Sequence, residues 1–127
     1  IMAYRLAWQV EKQVVLLSIQ QDSSIEDFGA LARELSSRYL DSGYAPIHLL
    51  VDMTRLEKFP HQLAKLRAQM GDLFEHPALG KVVLVGRANP LAGCIVDTLA
   101  RTFDVECVHA ASREDALHLV AREQIRH

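Results

Sequence analysis

The chain has 127 residues, of which 50% are hydrophobic and 24% are charged. A chain of this length falls within the range of a single domain and can bury roughly two thirds of its unfolded surface. The composition excludes wholesale disorder and fibrous repeats. The formal charge of −2 at pH 7 gives no general attraction to phosphate backbones, so nucleic acid is not an expected partner.

The sequence lacks the features of export and of membrane insertion. No basic segment followed by an apolar stretch stands near the start, and no apolar run reaches the roughly 18 residues that would span a bilayer. We therefore expect a cytoplasmic protein without a transmembrane segment. Because Ile1 precedes Met2, and no repeat or linker divides the chain, we take residues 2–127 as one domain.

The first forty residues predict a β-hairpin followed by a helix. Side chains alternate in polarity over 4–10, and a second β-rich run covers 13–20. The segment 24–27 resembles a capping box, with Asp in the place of the usual Glu. Apolar residues follow at helical spacing, so the first helix is expected to reach about Leu40.

Two apolar runs in the middle of the chain predict buried parallel strands. Gly43 and Pro46 end the first helix, and the run 47–52 then stops at Asp52. The run 81–86 repeats this design after a helical segment. Strands that are connected through helices pair in parallel, so we expect the carboxyl ends of both runs to share one rim.

Three further helices complete the pattern. The second should begin near Pro60, since proline fits the first turn, and the third should follow an Asn89 cap. A short strand over 105–109 precedes a last helix with a cap signature at Ser112. The residues predicted to face the core are Leu63, Leu66, Met70, Leu73 and Phe74 in the second helix and Leu91, Ile95, Leu99 and Phe103 in the third.

The resulting order is β-β-α-β-α-β-α-β-α, with right-handed crossovers expected between parallel strands. This order predicts a single-domain α/β sandwich, in which helices pack on a mixed sheet of about five strands.

With this order the chain resembles the STAS or SpoIIAA-like group, the fold of bacterial anti-sigma-factor antagonists. The likeness covers nearly the whole chain. It rests on the opening hairpin, the strand end Leu-Leu-Val-Asp-Met-Thr at 49–54, the strand 82–86, and the last strand followed by Ser-Arg-Glu-Asp-Ala-Leu at 112–117. The resemblance implies a SpoIIAA/STAS-like fold and a role in protein interaction or regulation in a bacterium.

The phosphorylation site of typical STAS antagonists is missing from the matching position. In that group an Asp-Ser-Ser-Gly element opens the next helix, and a partner kinase phosphorylates its serine. Here the segment 59–63 reads Phe-Pro-His-Gln-Leu. Thr54 carries the nearest hydroxyl, and its phosphorylation would add about −1.5 to −2 charges beside Arg55 and Lys58. The chain is thus more similar to bacterial STAS-like proteins that keep the scaffold without the phosphoserine motif.

The rim at the strand ends is the predicted location of a binding site, because ligands of open α/β sheets favour the crevice where crossovers diverge. One rim segment runs from Asp52 to Arg55, and the other runs from Gly86 through Arg87 to Asn89. The helix start after Asn89 could receive an anion beside Arg87. The same residues also suit purely structural roles, with Asp52 accepting bonds from loop N–H groups and Asn89 capping the helix.

No motif for a metal, a cofactor or catalysis stands out. The six histidines are dispersed, without an HExxH or paired-cysteine arrangement. Cys94 and Cys107 lack ligand spacing and are expected to be reduced packing residues. The chain also has no GxSxG, P-loop or GxGxxG motif. We therefore expect no cofactor, and an enzyme would require convergent polar side chains with perturbed pKa values.

Two leading hypotheses follow. The first is a non-catalytic interaction or regulatory module, which presents the loop after the 47–52 strand and the second helix to a protein partner or to another copy. Lys58, Phe59 and His61 would lie on that surface. The alternative is a binder of a small anionic or amphipathic ligand, at the rim beside Arg55 and Arg87 or beneath the second helix. A pocket in either place favours ligand binding, whereas a flat apolar patch favours assembly.

Overall fold

A computed structural model describes residues 4–19, 24–56, 62–86 and 90–125, with side chains described as far as residue 120. The described part confirms the predicted α/β class and the order of elements. The elements are β1 (Tyr4–Val10), β2 (Val14–Ile19), α1 (Ile25–Glu34) continued by a π-helical segment (Leu35–Leu40), β3 (Ile47–Asp52), α2 (Leu63–Phe74), β4 (Leu79–Val85), α3 (Pro90–Thr102), β5 (Cys107–Ala110) and α4 (Arg113–Ile125).

The five strands form one mixed sheet in the order β1-β2-β3-β4-β5. The hairpin pair β1–β2 is antiparallel, and each later pair is parallel. The register places one row of residues across the whole sheet, from Arg5 through Ser18, Asp52 and Val85 to Ala110. This row lies at the carboxyl ends of the parallel strands.

The two faces of the sheet are covered unequally. The larger core cluster joins one face to α1, α2 and α3, whereas the smaller cluster joins Val14, Leu50 and Val83 to Ala116 and Val120 of α4. Right-handed crossovers that advance in one direction along a parallel sheet all fall on the same face. The expected divergence of crossovers between the two rim segments was therefore wrong, since only α4 returns to the other face within the described ranges.

The predicted helix caps at Ser24 and Ser112 are confirmed. At the start of α1, the Asp27 N–H donates to Ser24 Oγ over 3.2 Å, and the Ser24 N–H donates to Asp27 Oδ2 over 2.8 Å. At the start of α4, the Asp115 N–H donates to Ser112 Oγ over 3.1 Å. The caps satisfy N–H groups that the first turn of a helix leaves without partners.

The first helix reaches Leu40 as predicted, but its last part winds more widely than an α-helix. The Asp41 N–H donates to the Ser36 carbonyl over 3.0 Å, which is a bond between residues five apart. The wider turn directs both Tyr39 and Leu40 into the core. There the Tyr39 and Trp8 rings form a T-shaped pair, with ring centroids 5.1 Å apart.

The predicted core stripes are correct except at the helix starts. Leu63 is 41% exposed and Leu91 is 53% exposed, because each stands in the first turn of its helix, ahead of the turns that contact the sheet. The remaining predicted residues of α2 are buried, as are two of those in α3, while Phe103 is half-buried. The second helix begins at Leu63, after Gln62 with a non-helical backbone, rather than near Pro60. Pro60 itself and the predicted Asn89 cap lie outside the described residues.

Two strand boundaries differ from the prediction. β4 begins at Leu79 rather than at residue 81, because Leu79 pairs with Ile47 at the start of β3. β5 begins at Cys107, after Asp104 has turned the chain with a φ of 57°. Within the described ranges no helix has both the length and the apolar character that a membrane crossing requires.

Candidate functional site

Three strands place polar side chains side by side on the face that α4 covers. Ser18 pairs with Arg5 on one side and with Asp52 on the other. Directly paired residues of neighbouring strands project from the same face, so the three side chains form a short polar row. The row lies at the carboxyl ends of the parallel strands, where the apolar residues of the sheet end and the loops begin.

Asp52 joins this row to the start of α4. Its carboxylate is buried, with 8% of the residue exposed. Asp52 Oδ2 accepts a hydrogen bond from Arg113 Nε over 2.8 Å and another from Arg113 Nη2 over 2.6 Å. Since Arg113 is the first residue of α4, this ion pair fixes the amino end of the helix over the end of β3.

The second oxygen of Asp52 organises the loop that follows β3. Asp52 Oδ1 accepts the Thr54 N–H over 3.0 Å and the Thr54 hydroxyl over 2.6 Å. A carboxylate offers about four acceptor positions, and these four bonds occupy them. Asp52 therefore acts as an anchor for the loop and for Arg113, and it has no lone pair left for a metal ion or for a substrate proton.

The pKa of Asp52 fits this anchoring role. Burial raises the pKa of the carboxyl group, but the hydrogen bonds from Thr54 and the ion pair with Arg113 together outweigh burial and hold the pKa below its usual 3.8. The group is therefore ionised at neutral pH. A general base needs a pKa near the working pH, which is the opposite shift.

The two predicted rim segments meet at Thr54 and Gly86. Gly86 has a φ of 91°, and a Cβ at this position would lie 2.5 Å from Thr54 Cγ2. Only glycine combines this backbone conformation with such a close approach. The predicted neighbours Arg87 and Asn89 lie outside the described residues, so an anion site at the start of α3 stays a prediction.

A polar cleft of about 250 Å³ opens above the Asp52 anchor. Two arginines of the cleft, Arg5 and Arg55, form no ion pair or side-chain hydrogen bond within the described part of the chain. Among the described lining residues, three arginines and one aspartate give two net positive charges, although the whole chain carries −2. The lining residues are Arg5, Ser18, Ile19, Asp52, Thr54, Arg55 and Arg113.

The space beneath α2 is much smaller than a ligand pocket. It measures about 30 Å³ and is lined by side chains such as Phe28, Leu66 and Met70. Pockets for drug-sized ligands span about 300 to 1,000 Å³. In this conformation the packing of α2 leaves no room for an amphipathic ligand at that place.

A third hollow, of about 410 Å³, lies beside the start of α3 and includes the side chains of Cys94 and His109. Cys94 is exposed, so the expectation that it packs in the core was wrong. Cys107 is half-buried. Burial of the thiol and, to a smaller extent, the nearby Asp97 carboxylate raise its pKa to about 12. No group of three potential metal ligands occurs among the described residues.

Of the candidate residues predicted from the sequence, Asp52, Thr54 and Arg55 line the cleft, and Gly86 supports it from the side. Thr54, the phosphorylation candidate, is exposed as a residue, but its hydroxyl is engaged by Asp52. Whether it is modified stays a prediction. Five candidates lie outside the described residues, namely Lys58, Phe59, His61, Arg87 and Asn89.

Sequence reasoning missed Ile19 and the three polar residues Arg5, Ser18 and Arg113 of the cleft. Ser18 is a polar residue inside an apolar strand, and Arg5 is its partner in the hairpin, so a correct hairpin register would have placed both on one face. Arg113 stands next to a helix cap, and its contact with Asp52 joins residues 61 apart in the chain. Only the return of α4 across the sheet reveals that contact.

No family model matches the chain, and a search of curated proteins found no match either. Membership of the STAS group stays a prediction from the sequence motifs.

Proposed function

We propose that this chain is a non-catalytic module that binds a small anionic ligand in the polar cleft. The main observation in support is that three separate parts of the fold each contribute an arginine to this cleft, namely Arg5, Arg55 and Arg113. Guanidinium groups bind carboxylates and phosphates through paired N–H donors. An excess of positive charge on an otherwise acidic chain favours a negatively charged ligand.

Binding fits the cleft better than catalysis does. The lowered pKa of Asp52 makes this carboxylate a weak base at neutral pH, and its oxygens already accept four hydrogen bonds. The Thr54 hydroxyl donates to Asp52 and has no second base beside it in the cleft as described. A nucleophile needs a neighbouring base of suitable pKa, so the cleft favours recognition over chemistry.

A second candidate is a protein-interaction or regulatory module of STAS-like type, acting in a bacterial cytoplasm. One observation favours it: Arg5, Ala7 and Gln9 project from β1 on the face of α4 and are exposed. This strip continues directly into the cleft, so the anionic group could belong to a protein partner or to a second copy of the chain. The resemblance to STAS proteins adds support to this candidate.

The test of the proposed function is isothermal titration of the full chain with sulfate at low ionic strength. We expect Arg5→Gln and Arg55→Gln each to weaken binding about tenfold, because a charge-assisted hydrogen bond contributes about 1.5 to 3 kcal/mol. Arg67→Gln is the matched control, since Arg67 is exposed on α2 and lies outside the cleft.

A wild-type chain that does not bind the anion would contradict the proposal. Equal affinities of the Arg5→Gln, Arg55→Gln and Arg67→Gln variants would contradict it as well, since binding would then not depend on the cleft. Sedimentation of the same samples tests the second candidate, which predicts self-association or a complex that the cleft variants weaken.

A further inference from the structure

We infer that the ligand of the cleft is a small phosphomonoester, whose phosphoryl group is bound as a dianion and whose remaining part is polar and not aromatic. The inference rests on the proposed function of the cleft and names the class of anion. Three features carry it: the donors that line the cleft, their charge and position, and the size of the hollow.

The side chains that remain free in the cleft are hydrogen-bond donors. Arg5 and Arg55 donate no side-chain hydrogen bond to another described residue, and Arg113 uses only two of its N–H groups for Asp52. The Ser18 hydroxyl forms no bond to another described residue. The one carboxylate, Asp52, is already saturated. Such a lining favours a group that only accepts hydrogen bonds, and a phosphoryl dianion presents three oxygens of that kind.

The charge and the position of the arginines point to the same group. The described lining residues carry two net positive charges, which a phosphoryl dianion neutralises and a carboxylate neutralises only in part. Arg5 stands on β1, whereas Arg113 is held over β3, so β2 with Ser18 lies between them. Neighbouring strands lie about 4.8 Å apart, so the two arginines approach Ser18 from opposite sides. The three oxygens of a phosphoryl group are arranged around phosphorus in three dimensions, so they accept hydrogen bonds over a wider range of directions than the two coplanar oxygens of a carboxylate.

The size and polarity of the cleft limit the rest of the ligand. Its volume of about 250 Å³ lies below the range of about 300 to 1,000 Å³ that holds drug-sized ligands. Among the described lining residues Ile19 is the single apolar one, and none of them has an aromatic ring. The described lining offers a nucleobase no ring on which to stack, so a short polar chain or a small sugar fits better than a nucleotide.

The experiment compares matched anions by titration calorimetry with the full chain. Methyl phosphate is a dianion at about pH 7.5, whereas dimethyl phosphate and acetate carry one charge. We expect methyl phosphate to bind at least about tenfold more tightly than either monoanion. Its affinity should fall between about pH 7.5 and pH 5, because the second pKa of a phosphomonoester is about 6. Glycerol 3-phosphate should bind at least as tightly as methyl phosphate. Adenosine monophosphate should bind no more tightly than glycerol 3-phosphate.

Separate outcomes distinguish this inference from the proposed function. Binding of acetate or dimethyl phosphate as tight as that of methyl phosphate, still weakened in Arg5→Gln, overturns the phosphomonoester and leaves anion binding in place. Absence of all binding, or equal binding to wild type and Arg5→Gln, overturns both. Tighter binding of adenosine monophosphate than of glycerol 3-phosphate contradicts the inference that the rest of the ligand is small and polar. A lipid source is tested with phosphatidylcholine vesicles prepared with and without phosphatidate. Co-sedimentation of the chain only with the vesicles that contain phosphatidate contradicts a soluble ligand.

Discussion

Asp52 explains how a charged residue can be buried at the end of a core strand. Burying an unpaired carboxylate is strongly unfavourable, but each oxygen of Asp52 accepts two hydrogen bonds. The donors come from the next loop and from the start of the last helix. One side chain thus sets the positions of both Thr54 and Arg113 in the cleft.

Replacement of Asp52 by asparagine should lower both stability and anion affinity. The amide keeps one oxygen for Thr54 but loses the charge that pairs with Arg113. We expect a loss of about 1 to 2 kcal/mol in the free energy of unfolding, because the Arg113 side chain is 52% exposed and solvent weakens the pair. Urea denaturation measures this loss. Asp72→Asn, on the exposed side of α2, is the matched control and should change little.

The contribution of Asp52 to stability should depend on pH in a defined direction. Because its pKa is lower in the folded chain than the usual 3.8, the stabilisation is complete above that value and is lost as the pH falls through the folded pKa. The difference in unfolding free energy between wild type and Asp52→Asn should therefore be constant near neutral pH and shrink below about pH 4. A difference that grows on acidification would contradict the anchoring role.

Gly86→Ala should destabilise the chain for two separable reasons. An alanine with positive φ costs about 1 to 2 kcal/mol, and its Cβ would also collide with Thr54 Cγ2. Thr54→Ser removes that methyl group and keeps the hydroxyl. The double variant should therefore lose less stability than the sum of the single variants, which thermal unfolding of all four chains measures. Strict additivity would show that the two residues do not touch.

The sequence was sufficient for those parts of the cleft that lie next to strand ends. Asp52 and Gly86 each follow an apolar run, and the parallel pairing of the two runs brings their ends together. Arg5 and Arg113 could not be placed in the same way. Their positions depend on the hairpin register and on the face that α4 covers, and neither is encoded by local periodicity.

Among the elements, the helix starts capped by Ser24 and Ser112 were predicted more accurately than the helix geometry. Cap residues act within one turn, so Ser24 and Ser112 are recognisable from their own neighbours. The π-helical segment over Leu35–Leu40 has no such local signature. Its wider turn is matched to the contact between Trp8 and Tyr39, which joins distant parts of the chain.

The two caps offer a matched test of which helix supports the cleft. Ser24→Ala and Ser112→Ala should each lower the unfolding free energy by about 1 kcal/mol. Only Ser112→Ala should also weaken anion binding, because Ser112 directly precedes Arg113 at the start of α4. Calorimetric titration of both variants checks this. Equal effects on binding would show that the cleft responds to general stability rather than to the position of α4.

At the scale of the whole molecule, the site follows from the uneven coverage of the sheet. Three helices fill one face, and on the other face α4 alone packs on the described part of the sheet. The cleft forms where α4 begins and where β1 and β2 emerge beside it. A bound anion would join β1, the loop after β3 and α4. At one hundred times its dissociation constant, a ligand that binds only the folded chain adds about 2.7 kcal/mol of stability.

The most direct test of anion binding in this cleft is a titration of the ¹⁵N-labelled chain with methyl phosphate, followed by amide and arginine side-chain NMR signals. We expect saturable shifts at the cleft residues Arg5, Ser18, Thr54, Arg55 and Arg113. We expect no shift at Cys94 or His109, which lie in the separate hollow beside α3. Shifts confined to other parts of the chain, or no saturable shift at all, would contradict the assignment of the cleft as the binding site.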